Sequence, residues 1–227
     1  MTSANPGQPG RITPRATQPR TDSGQRVRRP DTVCRHTPEA LCAPARGVAL
    51  HLLFICTGNI CRSPLAERLA SAYADQLQIP DLDVSSAGIR AVIGHPIHPD
   101  SAAVLQQLGG DAANFAARQL TLKVASNADL ILTMTRAQRN AVLEVAPRQL
   151  HRTFTLCGAA DLVSAFDARS VDDLAALRPR LNANESLDIP DPIGRNPRFH
   201  AEIGSQIAKL LPPIIEFCQN YAARDTD

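Results

Sequence analysis

The sequence contains no hydrophobic run approaching the roughly 18 apolar residues of a membrane span, so a helical membrane protein is not expected. Its first residues also lack the apolar segment of a secretory leader, because Pro and Arg interrupt them throughout. Together these absences predict a cytoplasmic chain with no membrane partner. Cysteines stand at 34, 42, 56, 61, 157 and 218 without regular spacing. That excludes a disulfide scaffold and leaves buried, metal-bound or catalytic roles for the thiols. No zinc module is expected from Cys34, His36 and Cys42, which have no C-x-x-C pair and no fourth ligand nearby. His51, His95, His98, His151 and His200 show no ligand spacing either, and the chain has no internal repeat.

Charge is nearly balanced, with 24 Lys and Arg against 22 Asp and Glu in 227 residues, but it is unevenly spread. Residues 1–46 hold eight arginines and only Asp22, Asp31 and Glu39 among acids. The remainder is net negative, whereas a nucleic-acid binder carries positive charge on its folded part, so no nucleic-acid partner is expected. The same 46 residues contain seven of the 18 prolines and almost no large apolar side chains, a mixture that predicts a disordered tail. The rest of the chain is long enough for one sizeable core. The expected organisation is a tail at 1–46, one domain at 47–222 and a short tail at 223–227.

From Val48 the texture changes. Val48 to Ile55 reads as a strand buried on both faces, and Asp83–Ala87, Asp129–Met134 and Thr153–Leu156 as three further short strands. Helices are expected after Pro64, at the first helical position, with a stripe of Leu65, Leu69, Tyr73 and Leu77. Others are expected at Pro99–Leu108, closed by Gly109, and at Arg136–Val145. Residues 158–187 read as a loop with a helical part at Val171–Leu177. Phe199–Tyr221 reads as a long amphipathic helix with Ile203, Ile207, Leu210 and Leu211 inward and a kink at Pro212 and Pro213. Short strands alternating with helices predict an α/β fold with a parallel sheet.

Between the first strand and helix lies Cys56-Thr57-Gly58-Asn59-Ile60-Cys61-Arg62-Ser63. This spacing lets the backbone curl into a bowl of inward N–H groups, with Gly58 permitting the turn. Such a bowl binds a tetrahedral dianion through Thr57, Gly58, Asn59, Ile60, Cys61 and Ser63. The helix N-terminus favours both phosphate and a thiolate, which makes Cys56 the candidate nucleophile. Arg62 offers a planar fork for phosphoryl oxygens, and Ser63 can donate to the Cys56 sulfur. Asn59 is expected to hold the loop through bonds to backbone. Asp191, before Pro192 in a rigid late loop, is the candidate general acid, with Asp188 orienting it or capping the loop. Arg62 and the amides carry the compensating charge, so no metal or cofactor is required.

Phe54-Ile55-Cys56 through Ser63-Pro64-Leu65-Ala66-Glu67, Ser86-Ala87-Gly88, Ala117-Arg118-Gln119 and Asp188-x-x-Asp191-Pro192 resemble the low-molecular-weight protein tyrosine phosphatase family. The resemblance spans residues 48–222. It implies a central four-stranded parallel sheet flanked by helices, of flavodoxin-like type, and a monomeric enzyme hydrolysing phosphorylated proteins through a phosphocysteine. By the motif Cys56 matches the nucleophile, Arg62 the phosphate clamp, Ser63 the thiolate-stabilising hydroxyl, Asn59 the loop organiser, Asp191 the general acid and Ser86 the support of Asn59. Three departures stand out. Phe115 replaces a frequent His, which predicts a truncated polar network behind the loop. Ile193 replaces an aromatic that walls the phosphotyrosine ring in many members. Relatives that act on phosphoarginine typically carry Thr where this chain has Ile60. Two other classes share the loop, thiol-dependent arsenate reductases and non-catalytic phosphate-binding modules. The former needs a further cysteine pair, and the latter usually lacks the nucleophile or the acid.

Overall fold

The computed structural model describes residues 50–79, 81–181 and 188–224. The expected tail at 1–46, the domain's first residues 47–49, positions 182–187 of the segment read as a loop, and 225–227 lie outside the described residues.

The first strand, β1 (Leu50–Cys56), is almost wholly buried, as its apolar run requires. Alternate side chains serve opposite faces. Leu52, Phe54 and Cys56 join one core cluster, and Leu53 and Ile55 join the other. β1 pairs in parallel with β2 (Leu82–Gly88) on one side and with β3 (Leu130–Thr133) on the other, and β3 pairs in parallel with β4 (Thr153–Thr155). The sheet order is therefore β2-β1-β3-β4. The chain reverses its direction of travel across the sheet between β1 and β3, the switch point where open α/β sheets place ligand sites at the carboxyl ends of strands.

Among the described residues, seven α-helices cover the sheet: α1 (Arg62–Gln76), α2 (Pro99–Gln107), α3 (Leu122–Ser126), α4 (Arg136–Val145), α5 (Leu156–Phe166), α6 (Val171–Leu177) and α7 (Pro197–Arg224). Leu65 and Leu69 of α1, Leu105 of α2, Leu162 of α5 and Ile207 and Leu211 of α7 belong to the larger cluster. Ala125 of α3 and Val142 of α4 pack on the other face.

Several sequence expectations shift. α1 begins at Arg62, which makes Pro64 its third residue. Proline is tolerated there because first-turn N–H groups have no intrahelical acceptor. Leu77 lies past the helix end and is 52% exposed. Gly109 closes α2 in the left-handed region, with φ +87. α5 occupies residues read as loop. Its Gly158 lowers helix propensity, but a Cβ there would lie 2.9 Å from Thr155 Oγ1, the oxygen that caps the helix. α7 extends past 222 to Arg224 and continues through Pro212 and Pro213. Each proline costs a helix about 3 kcal/mol or more, while burying Leu211, Ile214, Ile215 and Phe217 contributes about 1.5–3 kcal/mol apiece, so packing wins.

Candidate active site

Cys56 ends β1, and residues 57–61 turn directly into α1. The turn's left-handed residue is Asn59, with φ +55, rather than Gly58. A Cβ on Gly58 would meet only ordinary contacts, the nearest at 3.5 Å from Ile60. Asn tolerates this conformation better than most residues, and here its fully buried side chain is held at both ends. Its Nδ2 donates to Ser63 Oγ at 3.0 Å and Ser86 Oγ at 2.7 Å, and its Oδ1 accepts from the Arg118 N–H at 2.8 Å. The expected Ser86 support and one bond to backbone are both present, and the Ser63 hydroxyl adds a third partner.

The Cys56 sulfur accepts from the Ser63 hydroxyl at 2.9 Å and from the Asn59 N–H at 3.2 Å, two donors suited to a thiolate. Arg62, 3% exposed, donates through Nη1 to the Ile189 carbonyl at 2.9 Å and through Nη2 to Asp191 Oδ2. Its buried Nε has no hydrogen-bond partner, leaving a charged donor available to an oxyanion. Asp191 is exposed and its Oδ1 accepts from the Ile193 N–H at 3.2 Å. Asp188 takes the capping role, on a different element than expected: its Oδ1 accepts from the Arg136 N–H at 2.7 Å, at the start of α4. Cys56, Arg62 and Asp191 line one cleft of about 290 Å³. Its outer wall is aliphatic, formed by Ile60, Val92 and Ile193.

A polar network lies behind the loop. Ser86 accepts from Asn59 and donates to Glu67 Oε2 at 2.6 Å, and Arg118 Nε donates to the Ser86 carbonyl at 2.7 Å. Burial pushes the Glu67 carboxyl above its ordinary pKa, while the Ser86 bond acts in the opposite direction. The truncation expected from Phe115 does not occur, because Glu67 and Arg118 continue the network. Phe115 instead packs beneath the Arg68 guanidinium, 5.7 Å from the ring centroid. On the other side, Gln138 Nε2 donates to Thr57 Oγ1 at 3.0 Å, while its Oε1 accepts from the N–H groups of Met134 and Thr135. Thr135 and Gln138 form a capping box, a Thr-x-x-Gln signal that was readable in the sequence.

The rim beyond β2 is laced to the loop. The N–H groups of Ile89, Arg90 and Val92 donate to the carbonyls of Cys56, Thr57 and Gly58, each at 3.0 Å. Gly88 allows this approach, since a Cβ there would stand 2.6 Å from the Thr57 carbonyl oxygen. The structure therefore brings together every residue singled out for the site. It adds Glu67, Arg118, Gln138, Arg90 and Val92, whose contacts depend on distant elements.

The family model for low molecular weight phosphotyrosine protein phosphatase matches residues 51–173. The chain is 38% identical over 105 residues to a probable low molecular weight protein-tyrosine-phosphatase, EpsP, of Ralstonia nicotianae, spanning 46% of this chain and 69% of that protein. It is also 38% identical over 97 residues to the low molecular weight protein-tyrosine-phosphatase Wzb of Escherichia coli, 43% of this chain and 63% of that protein. Among solved structures, a low molecular weight protein tyrosine phosphatase from T. tengcongensis superposes with a TM-score of 0.59 at 26% identity, covering 74% of this chain and 98% of that one. The YwlE arginine phosphatase from Geobacillus stearothermophilus does so with a TM-score of 0.57 at 27% identity, covering 74% and 91%.

Proposed function

Because the chain belongs to the low molecular weight phosphotyrosine protein phosphatase family, we propose that it removes phosphate from phosphotyrosine in proteins through a phosphocysteine. The observation that carries this reading is the meeting of Cys56, Arg62 and Asp191 in one cleft, although Arg62 and Asp191 are 129 positions apart in the chain. Cys56 Sγ attacks phosphorus, while Arg62 and the loop N–H groups of residues 57–63 hold the equatorial oxygens. As phosphate enters, its oxygens replace the Asp191 carboxylate at Arg62. Released from Arg62, Asp191 takes up a proton from solvent and then donates it to the departing phenoxide. In the second half Asp191 takes a proton from water, which hydrolyses the phosphocysteine, and the Ser63 hydroxyl stabilises the leaving sulfur. Asn59, supported by Ser86, keeps the loop in its binding shape. No metal or cofactor takes part in these steps.

Phosphorylated protein is the substrate class of this reading, and the aliphatic wall of Ile60, Val92 and Ile193 is the surface an aryl ring would rest on. The enzyme unit is residues 47–222, monomeric and cytoplasmic. The free thiols of Cys56, Cys61, Cys157 and Cys218 support a reducing compartment. Among the described residues no helix is long and apolar enough to cross a membrane.

The test is phosphate release from matched phosphotyrosine and phosphoarginine peptides, with Cys56→Ser as the blank. Release from phosphotyrosine that Cys56→Ser abolishes is expected. A preference for phosphoarginine moves the substrate within the family. Release from neither by freshly reduced protein overturns the phosphatase reading.

A further inference from the structure

Three side chains that the proposed chemistry does not use converge from separate elements. Cys61 precedes α1, His98 precedes α2, and His200 lies in the first turn of α7. One ligating atom of each lies within 4.8 Å of the other two. The two imidazoles stack with centroids 4.9 Å apart at 19°. Cys61 and His200 are buried and His98 is half-buried. The histidines show no ligand spacing along the chain because the three positions are far apart in it, and only the fold joins them.

Two buried ring nitrogens here, His98 Nδ1 and His200 Nε2, have no hydrogen-bond partner. Each lies 3.9 Å from the same oxygen, Asp100 Oδ2. The other nitrogen of His200, Nδ1, is paired with Ser101 Oγ at 2.9 Å, which fixes the ring with Nε2 turned toward the cluster. An outer hydrogen bond of this kind orients ligating histidines in metal sites. A buried polar atom without a partner destabilises the fold, and nothing in the phosphate chemistry offsets that. The clustered donors are one sulfur and two imidazole nitrogens, the preference of zinc and its neighbours, and the Asp100 carboxylate stands beside the two nitrogens.

We infer that Cys61, His98 and His200, with Asp100 as fourth donor, bind a borderline transition-metal ion of the Zn²⁺ type. On binding, the Cys61 S–H releases its proton to solvent as the sulfur–metal bond forms, and the imidazoles donate their lone pairs without any redox change. Ligand separations in a tetrahedral zinc site are roughly 3.3–3.6 Å for bonds of about 2.0–2.3 Å, and the half-buried His98 ring can close that difference by side-chain rotation. Bound there, the ion ties the Cys56–Ser63 loop to the helix that follows the Asp191 segment.

The test uses the full chain with Cys34, Cys42 and Cys56 replaced by Ser, which removes the N-terminal thiols and the nucleophile as competing ligands. Titration with Co²⁺ is expected to give one bound ion, a thiolate-to-cobalt charge-transfer band and tetrahedral ligand-field bands, all displaced by Zn²⁺. Adding Cys61→Ser removes the charge-transfer band. His98→Ala, which deletes a half-buried ring with little burden on folding, weakens binding by at least about tenfold, and circular dichroism checks that each variant is folded. Absence of the charge-transfer band in the starting protein, its survival in Cys61→Ser, or unchanged affinity in His98→Ala overturns the site. None of these readouts needs turnover, so they stand apart from the outcome of the phosphatase assay.

Discussion

Asn59 carries three side-chain hydrogen bonds and a left-handed backbone in one buried position. Asn59→Ala loses the bonds, each contributing about 0.5–1.5 kcal/mol, and keeps a conformation that costs a non-glycine residue on the order of 1–3 kcal/mol. The expected result is a stability loss of roughly 2–4 kcal/mol in urea unfolding, with a lower kcat. Asn59→Gly recovers the backbone part alone. Asp191 makes a different prediction, because the proposed mechanism uses it as proton donor while the structure pairs it with Arg62. Asp191→Asn is expected to slow poor leaving groups by on the order of 10²–10³-fold and activated aryl phosphates far less, as read from a leaving-group series. The same change frees Arg62 from its carboxylate, so inorganic phosphate inhibits the variant more strongly. Equal losses across the series would assign the proton to another residue.

At the scale of elements, the site is a loop clamped between β2 and the start of α4. Gly88→Ala places a methyl 2.6 Å from the Thr57 carbonyl oxygen. Overpacking of this kind costs typically 1–3 kcal/mol, and here it also distorts the anion bowl, so both Tm and phosphate affinity fall. Gly58→Ala meets only 3.5 Å contacts and leaves Tm nearly unchanged. Thr135→Ala removes the α4 cap at a cost of about 1 kcal/mol, measurable by chemical denaturation. The sequence exposed the clamped loop itself because Cys56, Asn59, Arg62 and Ser63 are close neighbours in the chain, and their chemistry depends on local geometry. β1 was legible for a similar reason, since a strand buried on both faces leaves an unbroken apolar run. The contacts of Glu67 and Arg118 with the loop's support, and of Gln138 with Thr57, could not be assigned by pattern, because their partners lie on distant elements. α5 was hidden by Gly158, whose low helix propensity gives way to a tertiary fit. The cluster of Cys61, His98 and His200 left no local trace.

Over the whole molecule, the first-formed elements depend on the last. α7 supplies Ile207, Leu211, Ile214 and Phe217 to the core that also holds Leu65 and Leu69 of α1. Ile207→Ala, at a fully buried position, is expected to cost about 2–5 kcal/mol in urea unfolding. The cost falls on the entire cooperative unit rather than on one end of it. The pairing of Arg62 with Asp191 across 129 positions has a further meaning during synthesis. A ribosome adds roughly 5–20 residues per second, so the Cys56 loop emerges on the order of ten seconds before its acid exists, and longer before α7 covers α1. In that interval the growing chain presents a thiol with no catalytic partner and a central strand with half its cover. Capture by chaperones is therefore expected on the newborn polypeptide rather than the finished enzyme.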